Sequence, residues 1–207
     1  KQQNAWIDKL QLPMVNASFS KDELPEVKRI MNDKRFPEYY RHNFFMYYIS
    51  IIRYSSKLYK AEIPKIKHFL ANANMNALYF VSFSQSFMYV LDFKSTYLYI
   101  NMIYGKYDYR NTFKEATYMM GITLIPVSFL RRCYFENVYV KYTKSSIDFV
   151  ENLPATTDTF FAKTIIEFYK YLFNKDNDNM YKIVDTLKMV GVDVYVKDIV
   201  EDLEKNK

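Results

Sequence analysis

Apolar residues recur every three to four positions along most of this chain, the period of helices packed on one face. The spacing predicts a short helix over Asp22–Asp33 behind Ser20, a residue type that caps helices. Glu38–Ser55 follows, with Phe44, Phe45, Tyr47, Tyr48, Ile49, Ile51 and Ile52 leaving little polar face, so it packs on both sides. Glu62–Ala71 carries Pro64 in its first turn, where a missing N–H costs nothing. Asn76–Leu91 and Lys94–Tyr104 come next, the second stopped by Gly105. Asp108–Met120 ends at Gly121, and a new helix with Pro126 in its first turn runs to about Tyr142. Lys144–Asn152 is closed by Leu153 and Pro154. Thr157 or Asp158 caps a helix to Phe173, with Phe161, Ile165, Phe168, Tyr169 and Leu172 on one stripe. After a polar turn, Asp178–Val190 sets Met180, Ile183, Val184, Leu187 and Val190 at helical spacing. A last helix, from about Asp193 to Lys205, is increasingly charged on its outer side, as a terminal cap requires.

Two stretches echo each other. Lys114–Leu124 and Val184–Val194 each carry Met, one apolar residue and Gly, then an alternating apolar step, and Gly121 and Gly191 are two of only three glycines. Candidate second helices of pairs begin near Asn76, Asn111, Ser145 and Asp178, at intervals of 35, 34 and 33 residues. That period is close to a two-helix solenoid repeat. The expected fold is therefore all-α: one degenerate TPR-like helical-repeat array over residues 1–207, a right-handed α-solenoid of ten to eleven helices, with 1–37 as a lead-in holding one short helix. Such arrays offer a concave surface to a peptide or protein partner.

Composition narrows the class without naming a ligand. Three Gly and six Pro are too few for the turns of a sandwich or barrel. The 21 Tyr and 17 Phe serve packing, and an AT-rich genome accounts for the same bias. The net charge of +6 points to an anionic partner, yet no segment holds a run of five or six Lys and Arg. Cys133 is the only cysteine, so an intrachain disulfide is excluded and a cytoplasmic setting is expected. No signal peptide opens the sequence, and the most apolar stretch, Leu78–Leu91, is broken by Ser82, Ser84, Gln85 and Ser86 and falls short of a membrane span. The missing initiator Met reads as the mark of a fragment of something larger.

Catalytic chemistry is hard to assemble. His42 and His68 lie 26 residues apart on different predicted helices. Cys133 stands beside Arg131 and Arg132 in mid-helix, where burial as a small apolar residue is expected. No Gly-rich phosphate loop, HExxH or Cys/His metal spacing occurs, so neither an enzyme nor a metal or cofactor is expected. Polar stripes remain. Ser82, Gln85, Ser86 and Tyr89 share a helix face, as do Tyr97, Asn101 and Tyr104, Arg41, Phe45 and Tyr48, and Arg131, Phe135 and Val138. Side-chain amides and guanidinium groups grip peptide carbonyls while aromatics take apolar side chains. Arg41, Tyr48, Gln85, Tyr89, Asn101 and Arg131 are the expected groove residues; the same stripes also serve as plain solvated faces.

Three regions resemble the C-terminal part of Rgg/MutR-type peptide-sensing transcription regulators. The first joins Ile63–Leu70 (IPKIKHFL), Leu78–Tyr79 and Phe87–Thr96 (FMYVLDFKST). The second is Tyr142–Leu153 followed by Leu153–Phe160 (LPATTDTF). The third is Phe168–Lys170 with Ile183–Lys205. The chain departs from the family pattern at Asn76, Phe80, Ser86 and Tyr171. The resemblance spans about residues 38–205 and implies a homodimer whose concave face binds a short signalling peptide. It also implies DNA binding only through a helix-turn-helix domain that residues 1–40 do not supply, and no membrane contact. The expected function is peptide binding and dimerisation in a cytoplasmic quorum-sensing regulator. The alternative is a helical-repeat scaffold for a folded protein, of phage or viral origin.

Overall fold

The computed structural model describes residues 24–37, 41, 44–45, 48, 56–72, 88, 91–107 and 116–205. Every element among them is a helix, and none is a strand, as the apolar period predicts. Contacts divide the chain into two compact units, Lys1–Ser86 and Phe87–Lys207.

In the first unit, helix α1 (Leu24–Asn32) turns Val27 and Ile30 fully inward and keeps the Arg29–Glu26 pair, 2.7 Å, on its outer side. Asp33 ends it by accepting the Arg35 N–H at 3.0 Å and Nε–H at 2.9 Å. Those bonds hold its carboxyl down at about 2. Helix α2 (Ser56–Asn72) begins six residues earlier than expected, so Pro64 lies inside it and not in its first turn. Pro64 is exposed, on the outer side of the helix. Of the expected Glu38–Ser55 helix, Arg41, Phe44, Phe45 and Tyr48 are described, all helical, the last three buried. Most of Asn76–Leu91 and the start at Asp108 lie outside the described residues.

The second unit opens with α3 (Phe93–Lys106), capped by the Asp92 carboxylate, which accepts the Ser95 N–H at 2.8 Å. Gly105 does not stop it; the helix runs one residue further, to Lys106. Helix α4 (Ala116–Phe135) corrects the predicted break more sharply, because it passes through both Gly121 and Pro126. The reason is burial. Met119, Ile122, Ile125, Phe129, Leu130 and Cys133 are all 1% exposed or less and form one unbroken stripe across the supposed junction. Each such side chain contributes roughly 1.5–3 kcal/mol, against about 1 for an internal Gly and about 3 for an internal Pro.

Short α5 (Tyr139–Tyr142) and α6 (Lys144–Glu151) follow, then α7 (Thr157–Phe173), α8 (Asn177–Met189), a 3-10 turn at Asp193–Tyr195 and α9 (Lys197–Lys205). Helix α7 is central, packing on α4, α6 and α8 with Ile165, Ile166, Phe168 and Tyr169 out of water. Its cap is Thr156, one residue before the expected position, with its N–H bonded to Thr159 Oγ1 at 3.0 Å. In α8, Met180, Val184 and Leu187 are buried as predicted, whereas Val190 falls past the helix end and is 67% exposed.

Three helices stop by one device. After α8, Gly191 at φ 73° places its N–H on the Lys188 carbonyl at 3.1 Å, and the Val192 N–H on that of Leu187 at 2.9 Å. After α4, Asn137 at φ 54° does the same toward Tyr134, with Val138 bonded to Cys133. After α7, Lys175 at φ 60° bonds Leu172, with Asp176 bonded to Tyr171. This paired closure satisfies carbonyls that a helix end otherwise leaves open. Gly191 makes such a stop and Gly121 sits inside a helix, so the Met-x-Gly echo does not mark two equivalent turns.

Candidate functional site

Helix α9 is tied across α4 by a two-rung polar ladder. Arg131 and Tyr134, one turn apart on α4, face Asp198 and Asp202, one turn apart on α9. The Arg131 Nε–H donates to Asp198 Oδ2 at 2.8 Å and its Nη2–H to the same oxygen. The Tyr134 hydroxyl donates to Asp202 Oδ2 at 2.8 Å. Val196 and Ile199 are fully buried in the core of the same unit.

A cleft of about 580 Å³ opens beside the first rung. Val127, Ser128 and Arg131 of α4 line one wall, and Val194, Tyr195, Lys197, Asp198 and Glu201 the other. Val194 is 69% exposed, while the Tyr195 ring is held edge-on against Phe161 at 4.7 Å. The Arg131 guanidinium stands 5.1 Å over the Phe135 ring, itself half exposed. Guanidinium, carboxylates and an ammonium group beside valine and tyrosine offer donors, acceptors and apolar contact together, the surface an extended peptide uses.

Of the four expected groove residues that are described, Arg131 alone lines this cleft. Asn101 is half-buried and spends its amide on the Tyr97 carbonyl of its own helix, at 2.7 Å. Gln85 and Tyr89 lie outside the described residues. Arg41 and Tyr48 belong to the first unit. Arg41 is half-buried with no hydrogen-bond partner for its Nε.

Tyr48 is core, 1% exposed, with its ring 6.4 Å from Phe45 and the Lys28 ammonium 5.2 Å from its centre. Its hydroxyl faces Glu62, short of full hydrogen-bond geometry, and burial pushes the phenol up. Glu62 is buried and meets Lys65 at 3.0 Å and Lys28 at 3.6 Å. Burial pushes its carboxyl up, but Tyr48 and the two ammonium groups outweigh burial and hold it below its usual value.

Two arginines adjacent in sequence have opposite duties. Arg132 is nearly buried, and its Nη1 donates to the Leu91 carbonyl at 2.9 Å, to Thr96 Oγ1 at 2.8 Å and to the Met88 carbonyl. Its Nε bonds Glu136 at 2.5 Å, the i, i+4 pair legible in sequence. It clamps the entry to α3, whose Phe93 ring stacks on Phe129 at 5.4 Å. Cys133 is fully buried, as expected, and burial pushes its thiol up to about 12.

A second cavity of about 390 Å³ lies among α6, α7 and α8, with Val150, Ile166 and Ile183 below and Phe160 at its edge, 71% exposed. Lys163 closes one side by donating to the Val150 and Glu151 carbonyls at 3.0 and 2.9 Å. Lys170, bonded to Glu151 at 2.8 Å and Glu167 at 2.9 Å, is held above the usual lysine range by both.

The cleft residues other than Arg131 escape a sequence reading because Asp198 and Glu201 look like ordinary outer charges of a terminal helix. Among the described residues no helix is long and apolar enough to cross a membrane. The chain matches no protein-family model, no curated protein and no solved structure.

Proposed function

We propose that this chain is a non-catalytic peptide-binding and dimerisation domain of an Rgg/MutR-like transcription regulator, and that the peptide seats in the cleft between α4 and α9. In this reading the helices stack as a degenerate TPR-like right-handed array. The observation that carries it is Arg131, a groove residue expected from its stripe, standing on the wall of a cleft with Val127, Val194 and Tyr195 around it. A peptide in that cleft meets both partners of the Arg131–Asp198 pair. It thereby gains a differential contact between states with α9 seated and α9 displaced, which is what a population shift requires. Dimerisation and signalling to a DNA-binding domain follow from the family resemblance.

The experiment is a thermal-shift screen of the purified chain against pooled octapeptides rich in apolar side chains. A peptide at about a hundredfold its Kd adds roughly 2.7 kcal/mol, a rise of about 5–10 °C for a chain of this size. Wild-type shifts that vanish in Arg131→Ala support the reading. Shifts of equal size in Arg131→Ala place binding elsewhere and sink it.

A second reading, a scaffold for a folded protein, is favoured by the apolar surface at the α8 end, where Met189 is 88% exposed and Val190 67%. It predicts that Met189→Lys, not Arg131→Ala, abolishes binding.

A further inference from the structure

The net positive charge of this chain falls in one unit. Residues 87–207 hold sixteen Lys and Arg against sixteen Asp and Glu, so the unit with the cleft is neutral. Residues 1–86 hold thirteen against seven and carry the whole net charge of +6. Of the three described acids of that unit, Asp33 and Glu62 are turned inward, while Glu26 pairs with Arg29 on the outer side of α1. The Glu62 side chain is 10% exposed, held between Lys28 and Lys65, and that of Asp33 is 13% exposed beneath Arg35. Among the described bases, Lys65 is 72% exposed and Arg35 79%.

Helix α2 arranges part of that charge in a line. Lys60, Pro64 and Lys67 fall at i, i+4 and i+7, all exposed, with His68 beside them and Glu62 and Ile66 on the buried side. Lys60 and Lys67 stand two turns apart, about 10.5 Å along the axis. Among the described side chains of this exposed face none is large and apolar. The described aromatics Phe36, Phe44, Phe45 and Tyr48 are all buried and give no platform for stacking single-stranded bases. Two exposed ammonium groups along one helix face complement the charge of a phosphate backbone.

We infer that the exposed face of α2, through Lys60 and Lys67, docks on the phosphate backbone of a nucleic-acid duplex. This contact is made by the chain itself, independently of any peptide in the α4–α9 cleft and of any separate DNA-binding domain. It is sequence-independent, because lysines on phosphates carry no base readout.

The test is fluorescence anisotropy of a labelled DNA duplex of about 20 base pairs with the whole chain, titrated in salt. Wild type binds with a Kd on the order of 10⁻⁴–10⁻⁶ M, and its affinity falls steeply with salt. The pair K60E and K67E weakens binding at least tenfold. The milder pair K60Q and K67Q, which keeps surface polarity and guards against misfolding, lowers the log–log salt slope by about 1.8. Reversal of two exposed lysines of the neutral unit, K144E and K182E, leaves both readings unchanged. An RNA duplex bound as well as DNA supports the inference, since only phosphates are read. Absence of wild-type binding at low salt, equal weakening by the control pair, or tighter binding to phosphatidylserine vesicles than to the duplex overturns it.

Discussion

Arg131 and Asp198 stand 67 positions apart, and the Arg131 Nε–H donates to the Asp198 carboxylate at 2.8 Å. Both side chains are more than a third exposed, so water screens the pair and its intrinsic worth is small. A double-mutant cycle of Arg131→Ala and Asp198→Ala, read by urea denaturation, is expected to give a coupling below about 1 kcal/mol. A weak tie is what a displaceable terminal helix needs. A coupling of several kcal/mol denies α9 that freedom.

Arg132 behaves oppositely. Its guanidinium satisfies two carbonyls and a hydroxyl around residues 88–96 from a nearly buried site. Arg132→Ala strands those acceptors and is expected to cost about 2–3 kcal/mol. Arg132→Lys recovers only part, since one ammonium group replaces a planar fork. The urea midpoint falls while the slope is unchanged if the effect is on stability alone.

The three left-handed helix stops predict opposite signs for two substitutions. Lys175 at φ 60° carries the steric cost of a side chain in that region, so Lys175→Gly is expected to raise stability by about 1 kcal/mol. Gly191→Ala, at φ 73° with open space around the position, is expected to lower it by a similar amount. Thermal melts of the two variants check this directly, and shifts of the same sign contradict it.

The Cys133 thiol is pushed up to about 12 by burial. A folded-state value raised above the unfolded one contributes stability that is complete below about pH 8.5. That stability is lost as pH rises toward the folded value of about 12. A disulfide-exchange reagent at pH 8 is expected to leave native Cys133 untouched and to label it at once in urea. Cys133→Ser, which places a hydroxyl at a fully buried position, is expected to reduce stability by about 1–3 kcal/mol.

Helix content and most of the core were legible because periodicity reports burial directly. Ile165, Phe168, Tyr169 and Leu172 on α7, and Met180, Val184 and Leu187 on α8, are buried as their spacing requires. Helix boundaries at Gly and Pro were not. Gly121 and Pro126 carry strong local stop signals, but the stripe from Met119 to Cys133 outweighs them. The real stops at Asn137 and Lys175 use residues without a glycine's mark. The cleft was half legible. A single helix face discloses Arg131, whereas its partner on α9 depends on how two distant helices cross. Tyr48 shows the converse, since a stripe shared with Arg41 does not reveal which of its members turn inward.

The proposed seat of the peptide is the cleft between α4 and α9. It is tested most directly by photo-crosslinking the whole chain with benzophenone-bearing octapeptides and mapping the adducts by mass spectrometry. Binding in the cleft concentrates adducts on Val127, Ser128, Val194 and Tyr195, competed away by the unmodified peptide and lost in Arg131→Ala. Competed adducts that fall only outside the cleft, or no competed adduct at all, contradict it.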